Sequence, residues 1–159
     1  MRRDGEDTPG VMARPPLLLA GFLGAGLLLD WALPLSVVPR FPRVCALPAG
    51  AALLAAGMGL AVWALGVMLR AGTNPDPHRA ATALVEGGPF RFTRNPIYLG
   101  MVLFHAGAAC LLQSGMALAT LPGLAAVLHY GVILREERYL ERKFGEGYRR
   151  YRTRVRRWV

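Results

Sequence analysis

Apolar residues in this chain gather in long blocks instead of alternating with polar ones. The blocks are residues 17–38, 44–69, 97–112 and 116–134. Residues 44–69 carry no charge and stand between Arg43 and Arg70, long enough for one helix to cross a bilayer. Residues 95–134 form a second uncharged stretch of 40 residues. As helix it would run to roughly 60 Å, about twice the hydrocarbon core, so it predicts two spans joined by a tight turn at Gln113, Ser114 and Gly115. The first block holds Asp30 and Pro34, and a lone aspartate near the end of a span can reach the interface. The pattern predicts an all-α integral membrane protein of about four transmembrane helices, near 15–38, 44–69, 96–113 and 116–134. A polar tail at 1–14 precedes a single domain at 15–159, which closes with a C-terminal hairpin and a cytoplasmic tail at 135–159. Small residues at Ala51, Ala55 and Gly59, and at Ala20, Gly21, Gly24 and Ala25, predict close helix packing.

Past Leu134 the pattern turns amphipathic. Leu140, Phe144, Tyr148, Tyr151, Val155 and Trp158 recur at spacings of three and four with arginines between, and Gly145 and Gly147 predict a break or bend. Such a helix suits either the headgroup layer or the cytoplasmic end of the bundle. Residues 72–88 form the one long polar connection, where prolines and glycines oppose a regular helix.

Composition agrees with this picture: 53% hydrophobic and 18% charged residues, with a mean hydropathy of +0.32. The net charge of +9 sets 19 Lys and Arg against 10 Asp and Glu, and with four spans all but two of the basic residues fall on one side. By the positive-inside bias that side is the cytoplasm, with both termini there and the inner membrane as the location. The basic tail then reads as topology and attraction to anionic lipid headgroups, not as a nucleic-acid surface. Met1 to Pro16 mixes acids with arginines and does not resemble a cleaved signal peptide. Cys45 and Cys110 imply no disulfide framework, and no Cys/His spacing suits a metal. His105 and His129 lie in opposite arms of the hairpin; a buried, hydrogen-bonded histidine is the plainer reading of each.

A hairpin returns the chain to the face it left, so Arg94, Asn95 and Tyr98 converge with Glu136 and Glu137. Arg94 offers a fork for a carboxylate, Tyr98 a ring and a hydroxyl, and the glutamates suit an ammonium or ribose hydroxyls. A zwitterionic amino acid joined to a ribose would match this set. The alternative is an interfacial ion pair between Arg94 and Glu136, with Glu137 and Glu141 on a solvated face.

The run Gly87-Gly-Pro-Phe-Arg-Phe-Thr-Arg-Asn-Pro-Ile-Tyr-Leu-Gly100, the apolar hairpin, Glu136-Glu137 and Phe144-Gly-Glu-Gly-Tyr148 together resemble the isoprenylcysteine carboxyl methyltransferase and phospholipid methyltransferase superfamily. The resemblance spans roughly residues 70–157. It implies an integral membrane enzyme that transfers methyl from S-adenosylmethionine to a lipophilic acceptor drawn from the bilayer. Thr82, Ala83, Leu84 and Val85 would wrap the cofactor and Phe90 would lie against it. Asn95, Pro96, Ile97 and Tyr98 would line its pocket with Arg94, and Glu136 and Glu137 would hold its polar end. Asn95 stands where the motif more often has histidine. Val132 stands where eukaryotic carboxyl methyltransferases carry a substrate-binding arginine, so the resemblance names no acceptor and no general base. Two other readings fit the same hairpin: a nicotinamide-dependent membrane reductase and a non-catalytic membrane scaffold. Oligomeric state is left open by the sequence.

Overall fold

A computed structural model describes residues 8–33 and 42–159 of the chain. Among these residues every regular element is helical. Helix α1 is Pro15–Ala32, α2 Arg43–Arg70, α3 Pro96–Leu111 and α4 Gly115–Val127. A π-helical segment, Leu128–Ile133, joins α4 to α5, Leu134–Phe144, and α6 is Glu146–Arg154. Three apolar helices are long enough to cross a membrane, Pro15–Ala32, Arg43–Arg70 and Gly115–Phe144, and the apolar Pro96–Leu111 is shorter. The four helices correspond to the four apolar blocks of the sequence, a helix count roughly as expected. Residues 1–7 of the expected tail, 34–38 of the expected first span and Arg40 of the following loop lie outside the described residues.

The helix outlasts the uncharged stretch: a single helical rod runs from Gly115 to Phe144, past Leu134. Arginine and glutamate are good helix formers, so leaving the apolar layer gives the backbone no reason to stop. The break comes at Gly145, whose φ of 53° only glycine adopts readily. Glu136 and Glu137 therefore stand on the same rigid element as the hairpin.

In space the helices follow the order α2, α3, α4, α1, each packed on the next. The α2–α3 contact is a backbone seam. A Cβ added at Gly57 would lie 2.5 Å from the Gly100 carbonyl oxygen, and one at Gly107 would lie 2.5 Å from the Leu54 nitrogen. Ala46, Gly50, Gly57 and Ala64 are the buried residues of α2. The face predicted from Ala51, Ala55 and Gly59 points outward instead, and an added Cβ at Gly59 meets nothing within 4 Å. In α1, likewise, Gly26 packs on Ala117 and Phe22 on Gly123, while Gly21 and Gly24 stand clear. Both helices are apolar all round, so no polar face marks which small residues turn inward.

At the end of the bundle away from α5, Ser114 accepts the Ala117 N–H at 3.0 Å as the N-cap of α4, and it donates to the Asp30 carboxylate. Asp30 also accepts the Met116 N–H, so a lone acid in α1 meets the positive end of α4. His105 is fully buried, with Nε2 2.8 Å from the Ala117 carbonyl, and is a structural histidine as expected. It does not meet His129.

Because the seam brings backbone against backbone, Gly57→Val should lower stability by ~3 kcal/mol or more, at or above the usual upper range for overpacking. Gly59→Ala should stay within about 0.5 kcal/mol. Thermal unfolding of both variants in detergent checks the pair, and equal losses would contradict the seam.

Candidate functional site

The loop after α2 is built by short-range hydrogen bonds. Asn74 Oδ1 accepts the Asp76 N–H at 2.8 Å, and Asp76 accepts the His78 N–H at 2.9 Å, which lowers the Asp76 pKa from its ordinary value. Thr82 is exposed: its hydroxyl donates to the Gly72 carbonyl at 2.7 Å and its N–H to Thr73 Oγ1 at 3.1 Å. The Ala81 N–H donates to the Tyr139 hydroxyl at 3.0 Å, pinning the loop to α5. The turn Gly88–Arg91 then carries Phe90 inward. At Gly88 φ is 59°, and a Cβ would come within 2.8 Å of Val67, so the turn requires glycine twice over.

Between this loop, the start of α3 and α5 lies a cavity of about 820 Å³. Ala83, Leu84, Val85, Phe90, Arg94, Asn95, Pro96, Ile97, Tyr98, Glu136 and Glu137 all line it. Of the residues singled out from the sequence, Thr82 alone stays outside, its side chain spent on the loop's own carbonyl. Leu65, Met68, Met101 and Leu17 give the cavity an apolar side. Five lining residues come from a segment that the sequence did not mark: Pro9, Arg14, Pro15, Pro16 and Leu17. That segment is fixed by Met12, whose N–H donates to the Gly131 carbonyl at 3.2 Å, and by Arg135, which donates to the Gly10 carbonyl at 2.9 Å.

The charged groups pair differently from the simplest expectation. Arg94 reaches Glu137, not Glu136: its Nη2 is 3.2 Å from Glu137 Oε1, with only 8% and 10% of the two side chains exposed. Glu137 also accepts a two-pronged contact from Arg157, at 3.0 and 2.9 Å. That hydrogen bonding raises the Arg157 pKa and keeps the guanidinium charged. Nε and Nη1 of Arg94 are buried without a hydrogen-bond partner among the described residues. Glu136 instead accepts the Tyr98 hydroxyl at 2.8 Å and has no ion pair among the described residues. The two adjacent glutamates thus differ: Glu137 is paired with two guanidinium groups, and Glu136 lines the cavity with one neutral donor.

The tail closes the site from below. Tyr148 and Tyr151 are buried against Phe90 and Ala64, and the Tyr151 hydroxyl donates to the Phe90 carbonyl at 2.8 Å. Burial raises both phenol pKa values, so each stays a neutral donor. Of the two readings of the tail, packing on the bundle end is the one realised for this aromatic face. The Thr93 hydroxyl and the Asn95 amide both donate to the Arg157 carbonyl, at 3.1 and 2.9 Å. Trp158 donates to His129 Nδ1 at 3.2 Å and stacks on its ring. Arg157, Tyr139 and the 9–17 segment were missed because nothing in their spacing marks them; Trp158 appeared only as one more member of an aromatic face. Val132 is fully buried among core residues and does not line the cavity.

The sequence profile of the phospholipid methyltransferase family matches residues 45–147. The chain belongs to that family. An uncharacterized protein of Haemophilus influenzae is 38% identical over 63 residues, which is 40% of this chain and all of that protein. No solved structure matches the chain. The match contains both converging motifs, Arg94 with Tyr98 and Glu136 with Glu137, and makes this an integral membrane methyltransferase-family protein. Residues 148–159 of this family member lie beyond the matched stretch, although Tyr148, Tyr151 and Arg157 complete the site.

Glu137→Ala would leave Arg94 and Arg157 facing each other with no counter-charge. It should lower stability by about 3 kcal/mol or more, as loss of one partner of a buried pair does. Glu136→Ala, which strands one hydroxyl, should lose about 1–2 kcal/mol. Thermal unfolding of the two variants tests the difference; the reverse order would contradict the assignment.

Proposed function

We propose that the cavity binds S-adenosylmethionine and that the protein methylates a lipophilic acceptor at the cytoplasmic face of the inner membrane. The observation that carries this reading is the donor set around one cavity: a buried, half-paired arginine opposite a carboxylate that is free of cations. A volume of about 820 Å³ falls in the roughly 300–1,000 Å³ range of small-molecule and cofactor sites. The unpartnered nitrogens of Arg94 fit the cofactor's carboxylate, and Glu136 fits its ammonium or ribose hydroxyls. Ala83, Leu84 and Val85 would contact it through backbone and apolar surface, and Phe90 and Ile97 would flank it. Family membership supports methyl transfer, and the apolar side at Leu17, Leu65, Met68 and Met101 supports an acceptor that arrives from lipid.

When bound, the cofactor supplies a methyl group already activated for in-line displacement at its sulfonium. The chain's own residues then have to orient and to exclude water. Tyr98, whose hydroxyl is held on Glu136, lines the cavity beside the apolar Met101. The loop at Ala83, Leu84 and Val85 and the segment at Pro15 and Pro16 both contribute walls to the cavity. No side chain in the site is assigned as a general base. The orientation with both termini in the cytoplasm rests on the concentration of arginine at this end of the bundle, which also favours anionic lipid headgroups.

Calorimetric titration of the detergent-purified chain tests the reading directly. S-adenosylhomocysteine should bind and NADPH should not; the opposite pattern would favour a nicotinamide-dependent reductase, and binding of neither a scaffold. Glu136→Ala should weaken S-adenosylhomocysteine by about tenfold or more, since a charge-assisted contact is lost. Glu141→Ala should have little effect, because Glu141 pairs with Arg152 at 2.9 Å outside the cavity.

A further inference from the structure

Arg157 never enters the cavity, yet its position decides how Arg94 is paired. Glu137 has two carboxylate oxygens. Arg157 Nη2 occupies Oε2 at 2.9 Å, and Arg157 Nε lies on Oε1 at 3.0 Å. Arg94 is left a single contact, Nη2 to Oε1 at 3.2 Å. Among the described residues its Nε and Nη1 remain without partners, although the side chain is more than nine-tenths buried. A buried guanidinium would ordinarily take both oxygens of an adjacent carboxylate, because the fork matches the carboxylate in width and orientation. Here the second oxygen already carries the Arg157 Nη2 contact.

Arg157 is itself held by backbone contacts that involve the residues on either side of Arg94. The Arg94 N–H donates to the Arg156 carbonyl at 3.0 Å. The Thr93 hydroxyl and the Asn95 amide converge on the Arg157 carbonyl. Trp158, anchored on His129, fixes the next residue. The clasp ties the strip at 93–95 to the strip at 156–158, so Arg157 and Arg94 approach Glu137 from fixed directions.

We propose that Arg157 is a positioning residue: by filling Glu137 with its own fork it keeps Arg94 half-paired and available to the carboxylate of the nucleoside cofactor. This rests on the cofactor reading above. Without Arg157 the freed oxygen of Glu137 draws Arg94 into a two-pronged pair, and the cavity loses its cation without losing a wall. Arg157 thus acts through Arg94.

The test is a double-variant cycle read by calorimetry on the full chain in detergent, with S-adenosylhomocysteine as probe. Arg157→Gln should weaken binding by about tenfold in the natural background, the scale of one charge-assisted hydrogen bond. In an Arg94→Gln background the same change should alter affinity by less than about twofold, since no guanidinium remains to be withdrawn. Arg157→Lys keeps the charge but lacks the fork, so its loss should fall between those of the natural chain and Arg157→Gln. It serves for the same comparison if Arg157→Gln is not recovered folded. An equal loss in both backgrounds would mean a general loosening of the site and would overturn the proposal, as would no loss in either. Failure of the natural chain to bind S-adenosylhomocysteine would remove the cofactor reading itself, and it is read without any variant.

Discussion

The pairing of Glu137 with Arg94 and Arg157 joins three separate parts of the chain at the end of a membrane bundle. Arg94 comes from the strip before α3, Glu137 from α5 and Arg157 from beyond α6. Neither Arg94 nor Glu137 would be tolerated alone at this degree of burial, because an uncompensated ion in a poorly hydrated setting costs several kcal/mol. Each therefore requires the other to be in place, and Arg157, about a third exposed, adds a second counter-charge to Glu137. The loop, the hairpin and the tail are held in register by that requirement, and the cavity is the space they leave.

The same requirement separates the roles of two adjacent acids. One helical position apart, Glu136 and Glu137 point toward different neighbours: a buried tyrosine hydroxyl in one case and two guanidinium groups in the other. With both guanidinium groups on Glu137, Glu136 is left to the cavity with the Tyr98 hydroxyl as its partner. Two adjacent acids are thus given different roles by which cations reach them.

Much of the scaffold was legible in the residues. Charge-free lengths located the helices, and the return of the hairpin brought Arg94 and Tyr98 to the glutamates. The resemblance carried by Arg94, Pro96 and Tyr98 agrees with the family match over residues 45–147. Other features were not legible. Small residues at Ala51, Ala55 and Gly59 looked like a packing face, but Gly50 and Gly57 form the seam, because an apolar helix in lipid has no polar side to mark its orientation. Arg157 was one of nine arginines beyond Leu134, with no spacing to separate it from those in solvent. The coverage of the cavity by Pro15, Pro16 and Leu17 joins residues far apart in sequence.

What the sequence by itself determined is where helices start, stop and cross. Those properties follow from local hydropathy and backbone chemistry: a charge-free length, or a glycine at 88 or 145 that permits positive φ. Only the tertiary structure decided which carboxylate pairs with which arginine, which face of α2 is buried and what closes the cavity. Such choices depend on competition between groups for one partner. Arg94 is half-paired because Arg157 reached Glu137 from the far end of the chain, and competition of that kind leaves no local signature.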